Sequence, residues 1–411
     1  MRRLFIGFVL CCGCDSKMGG ADGAVPDSGP PDLAVEAVRD LAMVDGGAFD
    51  LAIADAADAS ARTKALAFHH SAGVPLGGPG ASAYYTLPGD FNGDGRADFL
   101  IGYNAQRDLA VLNGWRVWLT DGKGGFDKEG PTTQWSGFIP LLVTIADFDG
   151  DKRSDVLVSD SDRGTRIELS NGDGTFTADV IDAAHGLTVA LDADGDGRMD
   201  FARTAINNGA PVIQVFTNAG GGKLAQKSQV IATAGIVALA TGDVNGDQRA
   251  DILYLAKGNN GYVMQALLGN GDGTFTVAAG TVTFTSPPCV SVGDFNGDHV
   301  SDVATGAGVF LGRGDGTFNA IIPTAITWCP SAGDFDLDGN LDLLVPAPKG
   351  FAIFAGKGDG TFNAAVTFPL LKVDPDGAFA VDLDGDGQKD VATIAPDFES
   401  RDLDLFLNAS K

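Results

Sequence analysis

The chemistry open to this chain is carried mainly by aspartate. A nine-residue pattern, Asp-x-Asp/Asn-x-Asp-x-x-x-Asp with glycine usual at position 6, occurs seven times, starting at Asp90, Asp147, Asp192, Asp243, Asp294, Asp334 and Asp382. Each copy places oxygen-bearing side chains at positions 1, 3, 5 and 9. The first holds Asp90, Asn92, Asp94 and Asp98, and the second Asp147, Asp149, Asp151 and Asp155. The third holds Asp192, Asp194, Asp196 and Asp200, and the fourth Asp243, Asn245, Asp247 and Asp251. The fifth holds Asp294, Asn296, Asp298 and Asp302, the sixth Asp334, Asp336, Asp338 and Asp342, and the seventh Asp382, Asp384, Asp386 and Asp390. Positions 1, 3 and 5 of a tight loop converge on one point, position 7 offers a backbone carbonyl, and a carboxylate at position 9 closes the shell. Such an all-oxygen set suits Ca²⁺, which takes about six to eight hard ligands, better than Mg²⁺, which demands an octahedron and keeps its waters. A simple turn needs only one or two Asp or Asn residues, whereas all seven loops keep four in register. The expected cofactor is therefore Ca²⁺, up to seven ions. Position 6 calls for a positive φ and is glycine in four loops but Lys152, Gln248 and His299 in the others. A non-glycine there costs about 1 kcal/mol or more, so those three sites are expected to be weaker.

No catalytic constellation competes with this reading. The four histidines, His69, His70, His185 and His299, show no zinc-like spacing. Gly-x-Ser-x-Gly and the Walker glycine loop are absent. Carboxylate pairs are everywhere, so no single pair argues for a glycosidase. The chain is not expected to be an enzyme. With 54 acidic and 28 basic residues and a net charge of −26, it repels nucleic acid and anionic membrane surfaces and attracts cations.

The elements that position the loops follow from their spacing. The copies recur at intervals of 57, 45, 51, 51, 40 and 48 residues. Each is preceded by a short run of small and apolar residues, such as Leu141 to Ala146, and followed by an apolar strand, such as Asp251 to Leu255. A third strand follows, then a glycine turn ending in an aromatic: GDGTF at 172–176, 271–275, 314–318 and 358–362, GKGGF at 122–126 and a weaker GGGKL at 220–224. A fourth strand completes the unit. Repeats of 40 to 50 residues with four strands each are the signature of propeller blades. The seventh copy ends before its glycine turn, while Ala67-Phe68-His69-His70 precedes the first loop. The fold class expected is all-β, a seven-bladed β-propeller of four-stranded blades whose last blade is closed by the N-terminal strand. Such closure removes a free sheet edge.

DFNGDGRAD at 90–98, DFDLDGNLD at 334–342 and the GDGTF turns resemble the FG-GAP repeats of integrin α-subunits and the VCBS-type repeats of bacterial surface proteins. The resemblance runs from the early sixties to the C-terminus. It implies a seven-bladed propeller with calcium in some blade loops, serving adhesion and recognition, with ligand bound on the face away from calcium.

The N-terminus reads as an export signal. Residues 1–14, MRRLFIGFVLCCGC, carry two arginines and a short apolar run ending at Gly13-Cys14. This resembles a bacterial lipoprotein signal, with Cys14 as the lipidated residue; Cys11, Cys12 and plain secretion are the alternatives. Residues 15–62, rich in Asp, Ala, Gly and Pro, read as a disordered linker. Residues 63–411 form the propeller. The protein is expected in the cell envelope, lipid-anchored on the outer-membrane, periplasmic or cell-surface side, or else secreted, with the anchor as its one membrane attachment. Cys289 and Cys329 each lie five residues before an acidic loop in consecutive repeats. An exported chain permits a disulfide between them; two buried thiols are the alternative.

Acidic loops join strands one and two, and glycine turns join strands three and four, so both lie on one face. The opposite face carries Tyr84, Tyr85, Trp135, His185 and Trp328, candidates for contact with a protein or carbohydrate ligand. The function expected is surface recognition or adhesion. A lectin-like sugar binder and a calcium-dependent polysaccharide lyase are the alternatives.

Overall fold

The computed structural model describes residues 66–75, 81–107, 110–131, 133–135, 142–160, 163–233, 235–285, 289–326, 328–371, 374–375, 377–395 and 402–409. The proposed signal, Cys14 and the linker lie outside them. Among the described residues there is no helix; the chain forms seven antiparallel sheets, each four strands deep.

From the innermost strand outward, blade one is Ala81–Gly89, Asp98–Arg107, Ala110–Thr120 and an outer strand split into Phe126–Glu129 and Thr133–Trp135. Blade two is Leu142–Ala146, Asp155–Asp160, Gly164–Ser170 and Phe176–Asp182; blade three is Thr188–Leu191, Asp200–Asn207, Ala210–Asn218 and Leu224–Ile231. Blade four is Ile236–Gly242, Asp251–Gly258, Gly261–Gly269 and a split outer strand, Phe275–Val277 and Val282–Phe284. Blade five, the shortest, is Val290–Gly293, Asp302–Thr305, Gly308–Phe310 and Ile322–Pro323; blade six is Ser331–Gly333, Asp342–Ala347, Gly350–Phe354 and Val366–Phe368. Blade seven is Gly377–Val381, Asp390–Ala395 and Asp402–Asn408, completed by Phe68–Pro75 from the other end of the chain. That strand pairs antiparallel with Asp402–Asn408, Phe68 opposite Asn408, and His70 Nε2 meets Asp404 Oδ1 at 2.8 Å. The expected closure is therefore the observed one.

Sequence dictates which strands are buried. Second strands such as Asp155-Val-Leu-Val-Ser-Asp are buried almost end to end around an apolar centre, because neighbouring blades cover both faces. Outer strands such as Phe176–Asp182 are mostly exposed. The core is divided into seven apolar clusters, each lying between two consecutive blades. One of them joins Phe99 and Ile101 of blade one to Val381, Leu383, Leu403 and Leu405 of blade seven. It completes a closed ring. In every blade the second strand begins on position 9 of the acidic loop, so the ring holds all seven loops in equivalent places.

A disulfide joins Cys289 to Cys329 across the entries to blades five and six. It encloses the whole of blade five, whose strands are only two to four residues long.

Candidate metal centres

Each loop is shaped by its own carboxylates. The Oδ2 of the position-1 aspartate accepts the position-6 N–H, as in Gly95 to Asp90 (2.8 Å) and Lys152 to Asp147 (2.9 Å). Its Oδ1 accepts the position-4 N–H at 2.7–2.8 Å in six loops. These bonds need left-handed backbone at positions 4 and 6. Position 6 has φ of 74, 65 and 69° at Lys152, Gln248 and His299, so these residues adopt the glycine conformation at a steric cost. Position 4 is glycine in six loops and Leu337, at φ 60°, in the sixth. The requirement at position 4 was not recognised from sequence, although the six glycines signal it.

Position 9 has an architectural role. Asp98, Asp155, Asp200, Asp251, Asp302, Asp342 and Asp390 are all buried, at 0–1% exposure. One oxygen accepts the position-2 N–H, as in Phe91 to Asp98 (3.0 Å) and Val244 to Asp251 (2.9 Å). The other accepts a backbone N–H at or just past the end of the third strand: Thr120, Ser170, Asn218, Gly269, Gly312, Gly356 and Asn408, at 2.7–2.8 Å. Position 9 thus ties loop, second strand and third strand together. Burial pushes these carboxyls up, to about 7 for Asp98, Asp155, Asp251, Asp302, Asp342 and Asp390 and to about 6 for Asp200, against the downward pull of the N–H donors.

In six loops the position-5 side chain is held from position 7. Arg96, Arg153, Arg198 and Arg249 form ion pairs with Asp94, Asp151, Asp196 and Asp247, and Asn340 and Gln388 donate to Asp338 and Asp386. The arginines also lean on the glycine turns of their own blades, Arg153 Nε donating to Ser170 O and Arg198 Nε to Asn218 O. Loops and turns therefore share a face. In the four GDGTF turns the threonine hydroxyl donates to the aspartate at 2.5–2.6 Å. Those aspartates are local turn formers.

Carboxylate oxygens of positions 1, 3 and 9 lie within 4.8 Å of one another in four loops: Asp147, Asp149 and Asp155; Asp192, Asp194 and Asp200; Asp334, Asp336 and Asp342; Asp382, Asp384 and Asp390. The other three loops have Asn92, Asn245 and Asn296 at position 3, each donating to the position-5 aspartate. Two enclosed oxygens, Asp194 Oδ1 and Asp334 Oδ1, have no hydrogen-bond partner. A buried acceptor without a donor, among like charges, is chemically matched to a cation. The residues present fit a metal, and these clusters can hold one.

The loops are joined to the blades that follow them. The position-2 carbonyl accepts from the next blade: Ser170 Oγ to Phe91 O, Asn218 Nδ2 to Phe148 O, and Gly273, Gly316 and Gly360 N–H to Ala193, Val244 and Phe295. Ser154 and Ser301 N–H reach Asp90 and Asp243 carbonyls, and Ala97 N–H of blade one reaches Asp382 O of blade seven.

Of the expected ligand-face residues, His185 and Trp328 have described side chains. His185 is exposed on the connector into blade three, and Trp328 is 50% exposed on the connector into blade six, which is not a neighbouring blade. The side chains of Tyr84, Tyr85 and Trp135 lie outside the described residues; their backbone belongs to the inner strand and the split outer strand of blade one.

Comparison with known proteins agrees with this geometry. The FG-GAP-like repeat family model matches residues 90–158, 147–202, 192–254, 243–305 and 334–393, each match beginning on an acidic loop. No curated protein matches the chain. Among solved structures, an Agrocybe aegerita lectin that recognises non-reducing terminal N-acetylglucosamine is similar at 21% identity and a TM-score of 0.51, over 70% of this chain and 80% of the lectin. BBS1N, solved in complex with ARL6DN, is similar at 12% identity and a TM-score of 0.52, over 82% of this chain and 96% of the other. Both likenesses are of fold. Seven registered acidic loops on a closed seven-bladed ring, matched by the family model over most of their length, place this chain in the FG-GAP-like repeat family.

Proposed function

We propose that the chain is an exported calcium-binding propeller that recognises a protein or a glycan at the cell surface, tethered through a lipid on Cys14. The observation that carries the metal half is the convergence of three carboxylates within 4.8 Å in four of the seven loops, two of which leave an enclosed oxygen without a donor. The aspartates at positions 1, 3 and 9, with position 5 and the position-7 carbonyl, would hold Ca²⁺. Bound there, it supplies positive charge that keeps the loops rigid. This chain's own residues pass that rigidity on: the loop carbonyls grip the next blade, and position 9 grips the third strand. The recognition half rests on the family and is supported by neighbours that bind a sugar and a protein. The commitment of the aspartates to loop architecture supports a binding role.

Metal analysis of the purified chain after dialysis against calcium tests the first half, with several ions per chain expected and none refuting it. A glycan array read with calcium and with chelator tests the second; glycan binding favours the lectin form, and silence favours a protein ligand. Globomycin-sensitive processing and loss of membrane association in Cys14→Ala test the tether.

A further inference from the structure

The seven loops repeat in sequence but differ in charge and enclosure. The loop in blade six, DFDLDGNLD at 334–342, has four carboxylates and no lysine or arginine within its nine residues. Loops one to four each carry an arginine at position 7, loop two adds Lys152, loop seven has Lys389, and loop five has only three carboxylates. The blade-six loop is thus the most negative of the seven. It is also the most enclosed at position 3: Asp336 is 2% exposed, whereas Asp149, Asp194 and Asp384 are half-buried.

A third difference is in the hydrogen bonds. In the other six loops the position-4 N–H satisfies Oδ1 of the first aspartate. In blade six position 4 is Leu337, and Asp334 Oδ1 is enclosed with no hydrogen-bond partner. Loop three also has an unpartnered oxygen, on Asp194, but its Asp196 is neutralised by Arg198. Only in blade six do full charge, a buried position-3 carboxylate and a donor-less position-1 oxygen coincide.

From this coincidence we infer that the blade-six loop is the dominant cation site of the ring, the one that binds calcium most tightly and fills first. The inference rests on the calcium reading above. A cation there meets an oxygen that needs no donor displaced and a carboxylate already stripped of water, so less solvation is lost on binding than at the half-exposed sites. No cationic side chain of its own loop competes with it. Asn340, at the position-7 place of the arginines, holds Asp338 by a neutral hydrogen bond instead (3.0 Å).

The test is a calcium isotherm on the purified full chain at chelator-buffered free calcium, for the wild type and three variants. Asp336→Asn installs the residue that three other loops already carry and removes one charged ligand. Asn340→Arg installs the residue of loops one to four and adds the missing positive charge. Asp149→Asn makes the matched change in loop two. Asp336→Asn is expected to weaken the tightest class of site by tenfold or more and to lower its stoichiometry by one; Asn340→Arg weakens it several-fold; Asp149→Asn leaves that class unchanged. Loss of the tightest class in Asp149→Asn, or its survival in both blade-six variants, overturns the inference while leaving calcium binding intact. No calcium bound by the wild type overturns the calcium reading and this inference together.

Discussion

Calcium removal is the perturbation whose effect the structure sizes most directly. Four loops bring three carboxylates together, and free calcium at a hundredfold over the dissociation constant stabilises a folded state by about 2.7 kcal/mol per site. Four such sites contribute about 11 kcal/mol, on the scale of the whole stability of an ordinary domain. With an unfolding entropy of about 2.1 cal/mol/K for each of about 340 residues, this corresponds to a rise of about 15 °C in Tm. The assay is scanning calorimetry at pH 8 over stepped free calcium, with magnesium as the control ion. Tm should climb with the logarithm of free calcium at a slope that reports several ions released on unfolding. A rise under about 4 °C, the value for a single site, or an equal rise with magnesium, would refute the argument that the loops converge on calcium.

Three further outcomes follow from particular residues. In calcium-free protein the position-9 carboxyls, pushed by burial from 3.8 to about 6–7, favour the folded state when protonated; that stability is complete below about pH 4 and lost as pH rises through 7. The urea midpoint without calcium should thus be higher at pH 5 than at pH 8, and calcium should reverse the order by holding the carboxylates ionised; a higher midpoint at pH 8 without calcium would contradict the burial argument. Replacing Cys289 and Cys329 together by serine opens a 40-residue loop, worth about 4 kcal/mol by chain entropy, and should lower Tm equally with and without calcium. Phe68, 4% exposed on the closing strand, packs against Phe351 and Phe368 at 5.2 and 5.1 Å; Phe68→Ala should cost about 3–5 kcal/mol, and amide exchange should show blade seven opening first.

The fold was legible because its signal is periodic. Seven aspartate loops in register set the blade count, and an unpaired strand at each end of the chain, Phe68–Pro75 and Asp402–Asn408, required their meeting. The ligand set at positions 1, 3, 5 and 9 was legible for the same reason. What escaped was long-range and carried by backbone. Asp251 reads as a metal ligand in its loop, but its second oxygen is taken by the N–H of Gly269, 18 residues on, and no side-chain pattern announces a backbone donor. The grip of each loop on its neighbour, such as Gly273 N–H on Ala193 O, is equally silent, since position 2 is marked only as apolar.

These backbone links change what the acidic loops are for. A metal held only by its own loop would stiffen one hairpin. Here the position-1 carboxylate that would face the ion belongs to residues whose carbonyls accept from the next loop, Asp90 from Ser154, Asp243 from Ser301 and Asp382 from Ala97. The last of these joins blade one to blade seven. Order imposed on the blade-seven loop therefore reaches blade one directly, beside the apolar cluster of Phe99, Leu383 and Leu405 that seals the same junction. For the ring to open between two blades, the hydrogen bonds of the acidic loops at that junction must break.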